Sequence, residues 1–526
     1  MHPVTPSPSS PRPGATAHLS VSHQQRHDRY TAALALLGSP EAIIRLGGAL
    51  ALVELADDWL TDETDPQEHG RRKAQTIITT LCAYICSPFQ LAHDYERLMG
   101  DQPQGLTPQQ ARRFRAEKTE LAAEAQVRGR ILTEIHDRVR WEPSDGGQPA
   151  TNTAPDPERV TAGLWSHLRF DFSGAVFFYP VDFTQSYWGA GANFRGCTYR
   201  DQARFTRSIY GADALFDRSV YHGEAFLSDS VYRAGAGLSE CVWGADARLV
   251  GCVYEGNVNL SACTWEGAAY LSDCTYYGYT YLADSVYRGD ADFWQSTFYG
   301  TANLEHCTYS RGARFEDSIY HSAAYLGDSV FRRTANLAFT VYWGAAHFGG
   351  CVFAGQAWLD NCVWFDGADF SGVKFKKKTD FEEAHLLGAA DFSGASFARV
   401  PAFTGGVFNA AAENLFEVSA KSKQPLPLAG GIPQGARALT AAERQVALAS
   451  AAGTVPAGKA AGETWKGKHA DQAAFLAGVE YSQPVPSASG TSDIIANFDN
   501  ELPGLAGGDP ASILGSAQVN LQAILS

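Results

Sequence analysis

Large apolar residues recur from Phe172 to Phe408 in two interleaved columns, each with a period of eleven, offset by five and then six residues. The first column runs through Phe183, Phe194 and Phe205 to Phe403; its 22 members are all Phe or Leu. The second starts at Phe177 and runs through Trp188, Tyr199, Tyr210 and Tyr221 to Phe408; 21 of its 22 members are aromatic, Leu386 being the exception. Two places before each large residue there is usually a small one, so alternate side chains of a short strand point inward while the polar remainder turns a corner. Spacing this regular predicts a solenoid, in which each repeat buries its apolar face only against its neighbours.

Outside the repeat the pattern changes. Residues 1–27 are rich in Pro and Ser and offer little apolar surface to offset the entropy of ordering, so they read as disordered. Over residues 28–140 the apolar positions fall at helical steps: Leu34, Leu37, Ile43, Ile44, Leu46, Leu50, Val53 and Leu55, then Ile77, Ile78, Leu81, Tyr84 and Ile85 up to Ser87-Pro88, then residues 121–139. Gly38-Ser39-Pro40-Glu41 reads as one helix ending and the next starting, with Ser39 as cap and Pro40 at the first position. Residues 141–167 have linker chemistry, beginning with Glu142-Pro143-Ser144-Asp145-Gly146-Gly147. The repeat fills 168–408. Residues 409–526, rich in Ala, Gly, Pro and Ser, read as a tail, largely disordered or with short helices, and with apolar patches at Leu415-Phe416, Trp465, Phe475, Val479 and 513–525.

The repeat consensus is Ala-x-Phe/Leu-x-x-Ser/Cys-Val/Thr-Tyr-x-x-x, as at residues 203–210 and 247–254. Ala192-Asn193-Phe194, Ala291-Asp292-Phe293, Ala302-Asn303-Leu304 and Ala390-Asp391-Phe392 resemble the unit of the pentapeptide-repeat family: a small residue, Asp or Asn, Leu or Phe, then two polar residues. That resemblance implies a right-handed, four-sided parallel β-helix. This chain departs from the simple family pattern in alternating five and six residues and in its Tyr/Trp column. Asp28-Arg29-Tyr30-Thr31, Leu37-Gly38-Ser39 and residues 45–52 resemble a module that precedes the repeats in actinobacterial members, many of which carry a membrane anchor further upstream. None is expected here. The expected fold is therefore mainly β: about 11 coils, an N-terminal α-helical module and a low-complexity tail.

With four sides per turn, a coil takes 22 residues and the rod is about 50 Å long at ~4.8 Å per strand. Arg248 should then lie beside Tyr270, and Asp292 beside Arg314; an 11-residue coil would separate these pairs by two layers. Both ends of such a core need covers. The helical module suits the N-terminal end. The coil around Phe403 and Phe408 requires the tail or a second molecule, that is, a homodimer through the C-terminal end of the rod.

Two orientations of the aromatic column are open. If Tyr points in, the neighbouring column, Val, Ile or Thr at 17 of 18 positions from Val176 to Val363 with Tyr187 the exception, forms an outward β-branched ladder suited to a partner. If Tyr points out, an aromatic ladder suits glycan stacking. Eight of the ten cysteines fall where Ser or Ala usually stands: Cys197, Cys241, Cys263, Cys307 and Cys351 in one column, Cys252, Cys274 and Cys362 in the other. Their alternation with Ser230, Ser285 and Ser318 reads as packing by reduced thiols rather than as metal ligation or disulfides. Cys82 and Cys86 lie one helical turn apart without a second pair, a weak metal signal.

The formal charge of −15 argues against a basic nucleic-acid surface and against attraction to an anionic membrane. No apolar run has the length of a signal peptide or a membrane span, so a cytoplasmic protein is expected. Residues 170–408 hold 26 acids against 17 bases, and over 251–310 only Arg288 opposes seven acids. Some pentapeptide-repeat proteins mimic DNA and bind type II topoisomerases, which the family resemblance brings into view. Arg204, Arg207, Arg218, Arg233 and Arg248 interrupt the acidic surface, and Lys374, Lys376, Lys377 and Lys378 read as a solvated corner. No phosphate-binding loop, His-Glu-x-x-His, Cys-x-x-Cys or Gly-x-Ser-x-Gly occurs, and Gly189-Ala190-Gly191 belongs to the repeat. A non-enzymatic scaffold that binds another protein is the expectation, with no cofactor, no metal, no direct nucleic acid and no membrane anchor. A topoisomerase-directed DNA mimic and a glycan-binding or carbohydrate-active rod are the alternatives.

Overall fold

Residues 22 apart pair side by side along the whole repeat. The structure is a computed structural model that describes residues 13–63, 67–148 and 153–440. Two-residue strands stack into four parallel sheets of 11, 11, 10 and 12 strands. We number these faces in chain order: face 1 begins at Phe170–Asp171, face 2 at Val176–Phe177, face 3 at Val181–Asp182 and face 4 at Tyr187–Trp188. Arg248 pairs with Tyr270, its guanidinium 4.8 Å from the ring centre, and Asp292 pairs with Arg314 at 3.3 Å. Each coil is therefore 22 residues, and the 11-residue geometry is excluded.

The Phe/Leu column fills the interior from faces 1 and 3, the aromatic column from faces 2 and 4. Both are buried along the rod. Aromatic rings stack coil on coil, as in Tyr199–Tyr221–Trp243 at 4.5 and 4.3 Å and Tyr210–Tyr232–Tyr254 at 4.8 and 4.7 Å. Tyr therefore points in, and the outward-aromatic alternative is overturned.

The alternation of five and six has a backbone cause. Three residues before each aromatic position, at all 22 repeats, the chain adopts a left-handed conformation, with φ of 55° at Asp229, 56° at Asp273 and 68° at Gly251. That residue tightens the five-residue corner. The six-residue corner has room for its extra residue but passes close to the corner of the preceding coil. A Cβ on Gly289 would lie 2.1 Å from the Gly267 carbonyl oxygen, which explains the glycines there.

The N-terminal module consists of α1 (Pro13–Leu37), α2 (Ala42–Leu60), α3 (Gln67–Cys86), α4 (Tyr95–Met99) and α5 (Pro108–Val139). Helix α1 starts at Pro13, ahead of the boundary at 28 that the Pro/Ser composition suggested. Likewise α2 is capped by Glu41 rather than Ser39, whose hydroxyl instead accepts a bond from the Glu41 amide at 3.2 Å. The module closes the first coil: Gln75 exchanges two 2.8 Å bonds with Arg169, Phe89 stacks on Phe178 at 5.3 Å, and Trp165 donates to Asp57 at 2.8 Å. The linker joins in through the hairpin Glu142–Pro143/Val160–Thr161, while the Trp141 indole donates to the Arg207 carbonyl at 2.9 Å.

At the other end, residues 409–440 form a cover rather than a loose tail. Leu415 continues face 1 beside Asp391, Phe416 lies on Phe392 and Phe408, and Leu426, Ile432 and Leu439 are buried. Arg437–Ala438 adds the last strand of face 4 beside Val407–Phe408. The same chain thus supplies the cover for which a homodimer was one candidate. Trp465, Phe475, Val479 and the final apolar run lie outside the described residues.

Candidate interaction surfaces

The inward small positions explain the cysteines. Cys252 Sγ donates to the Leu227 carbonyl at 3.2 Å, and Ser230 Oγ donates to the equivalent Phe205 carbonyl at 3.1 Å. Cys197, Cys241, Cys263, Cys274, Cys307, Cys351 and Cys362 repeat this bond to the carbonyl 25 residues earlier. Thiol and hydroxyl are interchangeable ties between coils. Burial pushes the Cys307 and Cys351 thiols up to about 12, far from the reactive thiolate range. All ten cysteines are free, Cys86 lies near the Asp171 carbonyl at 3.8 Å, and among the described residues no group of three or more His, Cys, Asp or Glu could hold a metal ion.

Most acids in the family-like Ala-Asp/Asn-Phe units serve the backbone. Asp171, Asp292, Asp369 and Asp391 each accept the amide two residues on, at 2.7 to 3.1 Å, as do Asn193 and Asn303. Others are paired between coils, as in Arg195–Asp217, Arg218–Glu240, Arg288–Glu266 and Arg314–Asp292, and Arg314 also pairs with Glu316 of its own coil. Asp273 is pushed up to about 6 by burial and by the nearby Asp292 and Asp229 carboxylates. The arrangement is a turn-and-pair lattice, not a row of unpaired carboxylates at phosphate spacing. The lysines at 374, 376, 377 and 378 are exposed, with Lys378 paired to Asp380 at 2.6 Å.

Outward side chains differ from face to face. On face 2 the β-branched column stays open, with Val242 37% exposed and Val220, Val286 and Val330 part-exposed. On face 4 the same column runs from Tyr187 through Ile209, Val231, Val253, Thr275, Thr297, Ile319, Val341 and Val363 to Val407, with His385 between the last two; most of it is buried, Tyr187, Ile319 and Val341 being part-exposed. Beside it runs a second outward column that sequence reasoning missed: Tyr277, Tyr299, His321, Trp343, Phe365 and Leu387. Rings stack at 5.0 Å between Tyr277 and Tyr299, at 4.5 Å between Tyr299 and His321, and at 3.6 Å between Trp343 and Phe365. The signal was the 22-residue spacing, which an 11-residue consensus averages with the Arg, Glu and Ser of face 2. Because ring faces meet one another, they turn edges outward, a poor platform for a sugar ring.

Face 1 adds a smaller patch: Tyr279 and Tyr281 are exposed, and Tyr325 stacks on His347 at 4.7 Å. In the helical module a cleft is lined by His23, Arg26, Tyr30, Trp59, His69 and Lys73, where Arg26 lies over Trp59 at 4.5 Å and pairs with Asp62 at 2.6 Å. No helix among the described residues is long and apolar enough to cross a membrane.

A family described as pentapeptide repeats, in nine copies, matches residues 260–319 and 344–385, within the rod. No curated protein and no solved structure matches the chain.

Proposed function

Taking as premise that this is a pentapeptide-repeat protein, its rod closed at both ends by its own chain, we propose that it is a non-enzymatic scaffold whose face 4 binds a protein segment. The observation that carries this is the outward ring column on face 4, whose Tyr277, Tyr299, His321 and Trp343 are part-exposed over four successive coils beside a mostly buried β-branched column. Contiguous apolar surface of this kind marks a site for another polypeptide. Dispersed acids, fixed in turns and ion pairs, support a scaffold over a hydrolase, which needs carboxylates gathered across one bond. The same lattice disfavours DNA mimicry, and the edge-on rings of face 4 disfavour glycans.

A photo-crosslinking residue in place of Tyr299, and separately in place of Arg332 on the face 2 side, tests this in native lysate. A discrete protein adduct from the Tyr299 site, lost on Val341→Asp, is the expected result. Adducts independent of site would refute face 4 as the docking surface. Purified full chain is expected to leave gyrase supercoiling unchanged and to bind no glycan; inhibition at stoichiometric concentration would restore the mimic.

A further inference from the structure

Face 2 and the corner after it turn basic toward the C-terminal end of the rod. In five successive coils the stretches 308–312, 330–334, 352–356, 374–378 and 396–400 hold eight Lys or Arg and not one Asp or Glu. All eight are exposed. The chain has a net charge of −15, so the remainder, without these eight, stands at −23. Among the described residues only Lys378 of the eight has an ion pair, with Asp380 at 2.6 Å. By contrast, every other arginine of the rod from Arg195 to Arg314 meets a carboxylate or an aromatic ring.

The register of the coils makes this strip costly. Elsewhere on the rod, residues 22 apart bring opposite charges together, as in Arg218–Glu240 and Arg288–Glu266. Here Tyr309 pairs with Phe331 and Phe375 with Phe397, so two residues further on Arg311 lies beside Arg333 and Lys377 beside Arg399. Like charges held opposite one another across neighbouring strands are destabilising. Between the two cationic pairs stands Gly355, where a Cβ would collide with the Arg333 carbonyl, so the pairs flank a gap that holds no side chain. Repulsion kept in register is relieved by anions from outside the chain. The five coils span about 19 Å at ~4.8 Å per coil, the length of about six extended residues.

We infer that this strip is a second docking site, for a short acidic segment of another protein. Its arginines can take carboxylates bidentately, and its lysines add point charges. A nucleic-acid duplex or an anionic bilayer extends past the strip and would meet the two preceding coils, which expose Glu266 and Asp290 on the same side, as well as a remainder at −23. A segment of about six residues stays within the basic stretch. The site goes beyond face 4 and does not depend on it: a protein joined at Arg332 would differ from one joined at Tyr299.

The test measures binding of a fluorescein-labelled peptide of about six glutamates to the purified full chain by fluorescence anisotropy at physiological ionic strength. A glutamine peptide of the same length, oligothymidylate and phosphatidylserine vesicles are run beside it. Saturable binding of one glutamate peptide per chain is expected, with none of the glutamine peptide. Arg333→Glu combined with Lys377→Glu should weaken it at least about tenfold. Arg218→Glu combined with Arg288→Glu, which changes the net charge equally, should leave it unaltered. Because reversing Arg333 and Lys377 relieves repulsion, the thermal midpoint of that variant should not fall. A fall would show that these cations already have partners, and overturns the inference. So does the absence of saturable binding, or equal weakening by the two double variants, which would reduce the effect to net charge. Tighter binding of oligothymidylate or of the vesicles, lost on reversing Arg333 and Lys377, would make the occupant a nucleic acid or a membrane and overturns it too.

Discussion

Replacing Tyr254 by Phe should make the protein more stable. Tyr254 lies in the interior of face 4, stacked between Tyr232 at 4.7 Å and Tyr276 at 5.0 Å, and its hydroxyl is buried without a hydrogen-bond partner in the protein. A buried hydroxyl left unbonded costs about 1–3 kcal/mol. Deleting it leaves a void of roughly one oxygen atom, about 10–15 Å³, worth about 0.3 kcal/mol at ~24 cal/mol per Å³. The net gain is then about 1–2 kcal/mol, a rise of about 1–2 °C in the calorimetric midpoint of a chain this long, at ~2.1 cal/mol/K per residue. Phe fits: Phe298 occupies the same column, stacked at 4.6 Å on both Tyr276 and Tyr320. Phe298→Tyr should therefore lower the midpoint by a similar amount. A loss of 1 kcal/mol or more in Tyr254→Phe, or a neutral Phe298→Tyr, would refute the premise that these hydroxyls go unbonded.

The same column governs behaviour in alkali. Burial holds the phenols of Tyr199, Tyr210, Tyr232, Tyr254 and Tyr276, among others, well above their ordinary value near 10, so the folded chain retains protons that the unfolded chain releases. Their contribution is fully present below about pH 10 and is lost above it, at about 1.4 kcal/mol per pH unit for each buried tyrosine. The phenolate absorbance of the buried tyrosines should appear in one step with loss of circular dichroism; that part of the absorbance forming while the dichroism persists would contradict this. Cys252→Ser should be neutral within about 1 kcal/mol, whereas Cys252→Val, which cannot reach the Leu227 carbonyl with a donor, should cost about 1 kcal/mol more in chemical denaturation. Glu124→Ala should cost about 3–5 kcal/mol in the stability of the helical cap, because Glu124 is the carboxylate between Arg45 at 2.6 Å and Arg128 at 2.8 Å, and both guanidiniums lose it together. Early unfolding of α2, α3 and α5 by hydrogen exchange is the readout.

Much of the rod was legible because its rule is strict. Two columns of large residues fix which side is interior, and a single ion pair, Asp292 with Arg314, then discriminates coil lengths. The caps were not legible, since each is made of unlike parts. Residues 409–440 cover the last coil with a few separated anchors, Phe416, Leu426, Ile432 and Leu439, set among residues of low-complexity composition. The start of α1 was missed for a related reason: Pro and Ser marked its beginning as unstructured, although Pro is well accommodated in a first helical turn. The left-handed corner also left little trace, because Asp, Glu, Arg, Gln, His and even Phe339 occupy it as well as Gly. A conformation imposed by the coils on either side needs no single residue type. The face 4 stripe obeys a rule with twice the period of the consensus, so only a coil-by-coil alignment brings Tyr299 and Trp343 into register.

The pairing of one cap at each end with a constant step between them makes the molecule a ruler. Four stacks of in-register parallel strands would otherwise invite a further coil, or a neighbouring chain, at either edge. The α-helical module and residues 409–440 terminate that growth, so the separation of the two ends is written into the number of coils. Inserting one 22-residue unit would lengthen the rod by about 4.8 Å while leaving both terminators and every lateral register unchanged. Anything held at the two ends is thereby kept at a distance counted out by the gene in whole coils.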